Sequence, residues 1–231
     1  MKSITLLARK LAKVIIKFQP SKDISDQDLE YLLWICSLYI RIRNLPGHIA
    51  EVGVADGRNA VLFGRLIKQY NDQSVRQYIG FDTFDGYSQR DLLKDGNLYS
   101  EAWKNNSKKG VLERCEINNV EDVIEIFEGD ALQTVPQVLK NHRGNKFQKG
   151  KGLFALVYID CNACIPAMES MKNFFDYIVP GGLIVIDEKL QGGESEAILE
   201  FAKLNCYKVQ RLGGNEVPMA IVINEKDVIE N

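Results

Sequence analysis

From Gly47 onward the chain alternates short apolar runs with stretches of helical length, and that alternation restricts the fold more than any other feature. The strand-like runs are 49–54 (IAEVGV), 77–83 (QYIGFDT), 123–128 (VIEIFE), 153–159 (LFALVYI) and 182–187 (GLIVID). Helical spacing covers 58–70, 106–116, 133–141, 166–178 and 194–204. Strands separated by helices connect through right-handed crossovers, giving a parallel sheet with helices on both faces. The last two runs, 207–212 and 218–223, are joined only by a short turn. They predict an antiparallel hairpin at one edge. The expected fold is therefore α/β: a doubly wound, mostly parallel seven-stranded sheet with an antiparallel C-terminal hairpin. Apolar residues make up 45% of the chain, enough to cover both faces of such a sheet.

Two helices precede this pattern. Residues 4–18 place Leu7, Leu11, Val14, Ile15 and Phe18 on one face and basic residues on the other. This predicts a helix packed on the body or on a second subunit, rather than one lying on a membrane. Pro20 ends it, Ser25 and Asp26 can cap the next helix, and Pro46-Gly47 breaks the chain. The expected division is a helical appendage over 1–45 and one α/β domain over 46–231, with a homo-oligomer formed through the appendage.

A formal net charge of −2 lacks the basic surplus of a nucleic-acid binder. Five scattered cysteines, an odd number, argue for a reduced compartment rather than a disulfide framework. No apolar run approaches the ~18 residues that span a bilayer, and basic residues interrupt the first apolar stretch, unlike a signal peptide. A cytoplasmic protein without stable membrane insertion is expected.

In an open α/β sheet, ligands bind outside the carboxyl ends of the strands. The first strand ends in EVGVADGRN. Gly53 and Gly57 permit a tight turn and close approach of a ligand, and the helix starting near Arg58-Asn59 offers free N–H groups. Glu51 is an acid inside an apolar strand, costly to bury without a partner, and a ligand cation is one such partner. A dinucleotide fingerprint has its glycines spaced G-x-G-x-x-G, whereas here they are spaced G-x-x-x-G, which disfavours a nicotinamide oxidoreductase. Asp82, ending the second strand beside Thr83, suits paired ribose hydroxyls. Asp130, after the third strand and beside Ala131, can accept from an exocyclic amine such as that of adenine. Acids at three successive strands form a nucleoside-type pattern.

EVGVADGRNA, DTFDGY, FEGDALQTVP, YIDCNACIPAME and VPGGLIVIDE, taken in order, resemble the macrocin O-methyltransferase (TylF) family over roughly residues 45–205. That family comprises class I S-adenosylmethionine enzymes that methylate sugar hydroxyls of natural products. The resemblance implies that Glu51, Gly53 and Gly57 border the methionine part of the cofactor, that Asp82 holds the ribose and that Asp130 lies near the adenine, with Asn59, Thr83 and Ala131 also among the cofactor-binding residues. It also implies magnesium held by Asp160, Asp187 and Glu188, which double as the catalytic residues, with Asp160 shared with the cofactor. Chemistry supports the metal: carboxylates clustered at neighbouring strand ends repel one another unless a cation or a shared proton intervenes, and magnesium prefers oxygen ligands. The expected acceptor is a hydroxyl of a sugar or other small metabolite.

The chain departs from the family at Asn162, Ala163 and Cys164, where the relatives carry aspartate, leucine and tyrosine. A different acceptor, or a binding module whose catalytic pocket has decayed, is compatible with those changes. Cys161 and Cys164 have the spacing of half a zinc site but no second pair, so they read as packing residues. His48 and His142 both precede strands, which places them on the edge away from the cofactor. Asp187, Glu188, Lys189 and Asp85 remain as candidates for the base. Residues 85–105 form a long polar segment on the active edge, with the composition of a lid that carries Tyr87, Tyr99 and Trp103.

Overall fold

The computed structural model describes residues 26–96, 98–141, 153–187, 192–211 and 219–223. The expected helix 4–18, Glu188, Lys189, His142 and the loop at 144–152 lie outside the described residues. The chain divides into two compact units, Met1–Cys36 and Ser37–Asn231. Helix α1 (Asp26–Ile42) ends in the second unit, and every element after it belongs there.

Strands β1 (His48–Val52), β2 (Tyr78–Asp82), β3 (Ile124–Glu128), β4 (Phe154–Ile159), β5 (Ile178–Ile186), β6 (Gln210–Arg211) and β7 (Met219–Val222) make one seven-stranded sheet. Their order is β3-β2-β1-β4-β5-β7-β6. The first five pair in parallel, and β7 runs antiparallel to both β5 and β6. The doubly wound sheet with its antiparallel edge is thus as the alternation predicts. The order reverses between β1 and β4, and that switch point opens a crevice at the carboxyl edge.

The intervening helices are α2 (Arg58–Gln69), α3 (Gln89–Lys94), α4 (Lys108–Ile117), α5 (Ala131–Asn141), α6 (Cys164–Phe174) and α7 (Gly193–Leu204). One face of the sheet, carrying Ala50, Val52, Phe81, Val157 and Ile184, packs against Val135 of α5, Met171 of α6 and Phe201 of α7. On the other face, Phe63 of α2 sits against the rings of Tyr78 and Tyr158. Strand alternation puts Glu51 on that second face, because its neighbours Ala50 and Val52 point into the first core.

Three elements differ from the sequence pattern. The expected helix 166–178 ends at Phe174, a 3₁₀ turn covers Phe175–Tyr177, and β5 starts at Ile178 rather than at 182. The Pro180-Gly181-Gly182 run sits inside β5, next to where the β4–β5 register shifts. The sixth strand is only Gln210–Arg211 among the described residues. The polar segment 85–105 contains α3, whose Ser88 and Asp91 form a reciprocal capping box.

Candidate active site

A cavity opens at the carboxyl edge, lined by Gly53, Asp82, Asp130 and Asp160 from the ends of β1 to β4, and by Tyr87 and Trp103 from the segment after β2. Thr83 and Ala131 also line it. The sequence-derived cofactor residues are therefore brought together in part. Glu51, Gly57 and Asn59 lie behind the wall rather than on it.

The glycine turn is fixed by space. Gly53 has φ +97°, and a Cβ there would land on the Asp160 carbonyl oxygen, so β1 and β4 could not close around any other residue. Gly57 has φ +81°, caps α2, and leaves 2.8 Å between a hypothetical Cβ and Val111. The acid before the turn is 1% exposed. Its partners are within the protein: Asn59 Nδ2 donates to Glu51 Oε1 at 2.7 Å, and the Tyr78 hydroxyl donates to Oε2. Gly80 lies beside Glu51 in register and leaves the Tyr78 ring its place. Burial nevertheless pushes the Glu51 carboxyl up to about 8, with Asp187 and Asp82 adding to it and the two hydrogen bonds opposing. The expectation that a ligand cation would satisfy Glu51 is thus replaced by a tyrosine and an asparagine.

Asp82 is held from two sides of the crevice. The Ala55 N–H donates to Oδ2 at 2.8 Å and the Phe84 N–H to Oδ1 at 2.7 Å. Burial raises this carboxyl, and the N–H groups of Phe84, Ala55 and Val54 oppose the rise. Each oxygen retains a lone pair, so two vicinal hydroxyls can be accepted. Thr83 is occupied with the turn, its hydroxyl donating to the Gly86 carbonyl at 2.9 Å. Asp130 Oδ1 accepts the Leu132 N–H at 3.0 Å at the start of α5, and Oδ2 accepts from Arg90 at 3.0 Å.

At the β4 and β5 ends the surroundings change. Asp160 is pushed well above the usual carboxylate range, first by burial and then by Asp187, Glu194, Glu51 and Asp82. Asp187 accepts a hydrogen bond from the Tyr158 hydroxyl. Asp160 and Asp187 supply the oxygen donors that magnesium prefers, and a cation would relieve their repulsion. Among the described residues no group of three acids, histidines or cysteines is close enough to hold a metal ion, and Glu188, the third expected ligand, is outside them.

The loop after β4 is clamped by two buried acids that the sequence reading missed. Asn162 takes a left-handed φ of +57°, and its N–H donates to Glu194 Oε1 at 2.5 Å. The Cys164 N–H, at the start of α6, donates to Asp95 Oδ2 at 2.8 Å. Glu194 is 0% exposed and Asp95 8%. Ala163 offers no side chain to cap α6, and Asp95 fills that role from the end of α3. A capless helix start after a strand was the available signal. Cys161 lines the cavity as a half-buried free thiol, and Cys164 is also unpaired. His48 is remote, its Nδ1 accepting the Gln77 N–H at 3.1 Å at the start of β1. Trp103 Nε1 donates to the Tyr87 hydroxyl at 3.0 Å, joining two cavity aromatics.

A family model described as a methyltransferase domain matches residues 50–188. No match was found among curated proteins. Among solved structures, the chain is similar in fold to the calicheamicin methyltransferase CalS11, at 21% identity over 97% of this chain and 94% of that one, with a TM-score of 0.70. It is also similar to the O-methyltransferase NovP, at 15% identity over 88% and 83%, with a TM-score of 0.67. A third is the O-methyltransferase TomG from Streptomyces achromogenes in complex with SAM, at 14% identity over 87% and 82%, with a TM-score of 0.53.

Proposed function

This chain belongs to the methyltransferase-domain family, and on that premise we propose that it transfers the methyl group of S-adenosylmethionine to a hydroxyl of a sugar or other small metabolite. The observation that carries this reading is one cavity into which acids from three successive strand ends converge beside a forced glycine turn. Asp82 accepts the ribose hydroxyls, Asp130 and Ala131 border the adenine, and Gly53 lets the methionine part approach the backbone. Gly57, Asn59 and Glu51 shape the turn from behind. The finer kinship we favour is with the macrocin O-methyltransferase family, supported by the motif order and by fold neighbours described as O-methyltransferases.

Asp160 reaches the cavity between this cofactor half and Asp187. Burial and neighbouring acids hold the Asp160 carboxyl well above the usual carboxylate range, which makes it a stronger proton acceptor for an acceptor hydroxyl than an ordinary aspartate. Asp160, Asp187 and Glu188 would hold magnesium, which when bound lowers the pKa of an acceptor hydroxyl and orients it. Tyr87 and Trp103 offer an aromatic wall to the acceptor, and the segment carrying them would exclude water. The acceptor, a second copy bound through the N-terminal helices, and the cytoplasmic setting belong to the same reading. No helix among the described residues is long and apolar enough to cross a membrane.

Calorimetry with S-adenosylmethionine, S-adenosylhomocysteine and NAD tests the cofactor. Heat with the two sulfur ligands and none with NAD is expected. The reverse pattern overturns the reading. Chelation with EDTA then tests the metal: methyl transfer to hydroxyl acceptors should fall, and unchanged turnover removes magnesium from the proposal.

A further inference from the structure

Arg90 sits on α3 between two cavity acids, and the methyl-transfer scheme above gives it no part. Its Nε and Nη2 lie 3.0 and 3.2 Å from Asp91 Oδ1 and Oδ2, a two-pronged grip on its own helix. Asp91 is 5% exposed and is fixed in turn by the capping box with Ser88, whose hydroxyl donates to Oδ2 at 2.6 Å. The guanidinium is therefore oriented before it meets anything else. Its remaining edge, Nη1, donates to Asp130 Oδ2 at 3.0 Å. Asp130 Oδ1 accepts the Leu132 N–H at 3.0 Å. Both oxygens of Asp130 are thus held by donors outside the cavity, and both acids line the cavity.

We propose that Arg90 is a positioning residue that aims Asp130 at the cofactor's purine and so sets selectivity for a 6-amino over a 6-oxo base. The inference rests on the nucleoside reading given above. A carboxylate with one lone pair left on each oxygen accepts from an exocyclic amine. Against a 6-oxo purine it meets a carbonyl oxygen, and two acceptors with no shared hydrogen repel. That discrimination depends on the carboxylate holding one orientation. The Leu132 N–H restrains one oxygen only. Arg90 supplies the second point, and through Asp91 it links the segment after β2 to the base of the nucleoside site.

The test is calorimetry of the full chain with S-adenosylhomocysteine and with S-inosylhomocysteine, its 6-oxo analogue. The wild type should bind the adenosyl ligand about tenfold more tightly or better, the scale of one charge-assisted hydrogen bond. In Arg90→Gln the ratio should fall toward one, chiefly through weaker binding of the adenosyl ligand. Arg90→Lys, which keeps a charge beside Asp91 if the glutamine variant folds poorly, should give an intermediate ratio. A general loss of stability weakens both ligands together and leaves the ratio unchanged. Wild-type selectivity that persists in either folded variant overturns the role of Arg90 and leaves the nucleoside reading standing. A wild type that binds neither ligand overturns that reading, and one that binds both equally overturns the role of Asp130 and that of Arg90 with it.

Discussion

At the β2 and β3 ends of the cavity the acids are held by donors, whereas Asp160 at the β4 end is surrounded chiefly by other acids. Asp82 and Asp160 are both pushed up by burial, so burial alone does not separate them. What separates them is what comes next. At Asp82 three backbone N–H groups oppose the rise, whereas at Asp160 the next contributions are Asp187, Glu194, Glu51 and Asp82. The first end is organised for a neutral hydrogen-bonding ligand such as a ribose. The second favours a proton or a cation, which under the proposed function is where a hydroxyl would give up its proton. The two ends touch at one point, where β1 turns at Gly53 against the Asp160 carbonyl.

That hinge between the halves is where the largest effect is expected. Gly53→Ala forces a side chain into the β4 backbone at φ +97°, and should cost about 3 kcal/mol or more. Thermal unfolding should show it as a drop of about 10 °C. A variant that melts with the wild type would mean that β1 and β4 are not packed as described.

Tyr158→Phe sharpens the contrast from the acidic end. It removes the hydroxyl that orients Asp187 without touching Asp82. If Asp187 holds magnesium as proposed, magnesium affinity, read by titration calorimetry, should fall about tenfold, the scale of an outer-shell partner. S-adenosylhomocysteine affinity should not change. Equal loss of both would join the two ends into one unit.

The smallest expected effect, taken one pH unit at a time, is a slope in stability. Glu51 is raised in the fold to about 8 from an ordinary 4.5, so its neutral form is the one the fold favours. Its contribution to stability is complete below pH 4.5 and is lost as the pH rises toward 8. One proton corresponds to at most about 1.4 kcal/mol per pH unit over that window. Glu51→Gln keeps an acceptor for Asn59 and should flatten the decline between pH 5 and 8 in urea titrations. An unchanged slope would assign the decline to other acids, Asp160 foremost.

Much of this was legible from the sequence because strand and helix periods differ and because ligands gather at one edge of such a sheet. The five parallel strands, the glycine turn, Asp82, Asp130 and Asp160 all follow from those two rules. What was hidden depends on tertiary approach. Tyr78 and Tyr158 read as apolar strand residues, and only the strand register aims their hydroxyls at Glu51 and Asp187. Glu194 and Asp95 carry no signal of burial in the sequence, yet they are buried against backbone N–H groups of a loop far away in the chain. Helix α3 was missed because a six-residue helix in a polar segment has too little apolar periodicity to register, although its capping box S-x-x-D was in plain view.

The division of the cavity is tested most directly by titrating S-adenosylhomocysteine and magnesium, separately, into the wild type, Asp82→Ala and Asp187→Ala. Asp82→Ala should weaken S-adenosylhomocysteine about a hundredfold, the scale of two hydroxyl-to-carboxylate bonds, and leave magnesium unchanged. Asp187→Ala should do the opposite. Two variants that lose both ligands together, or an Asp82→Ala that binds S-adenosylhomocysteine like the wild type, would contradict it.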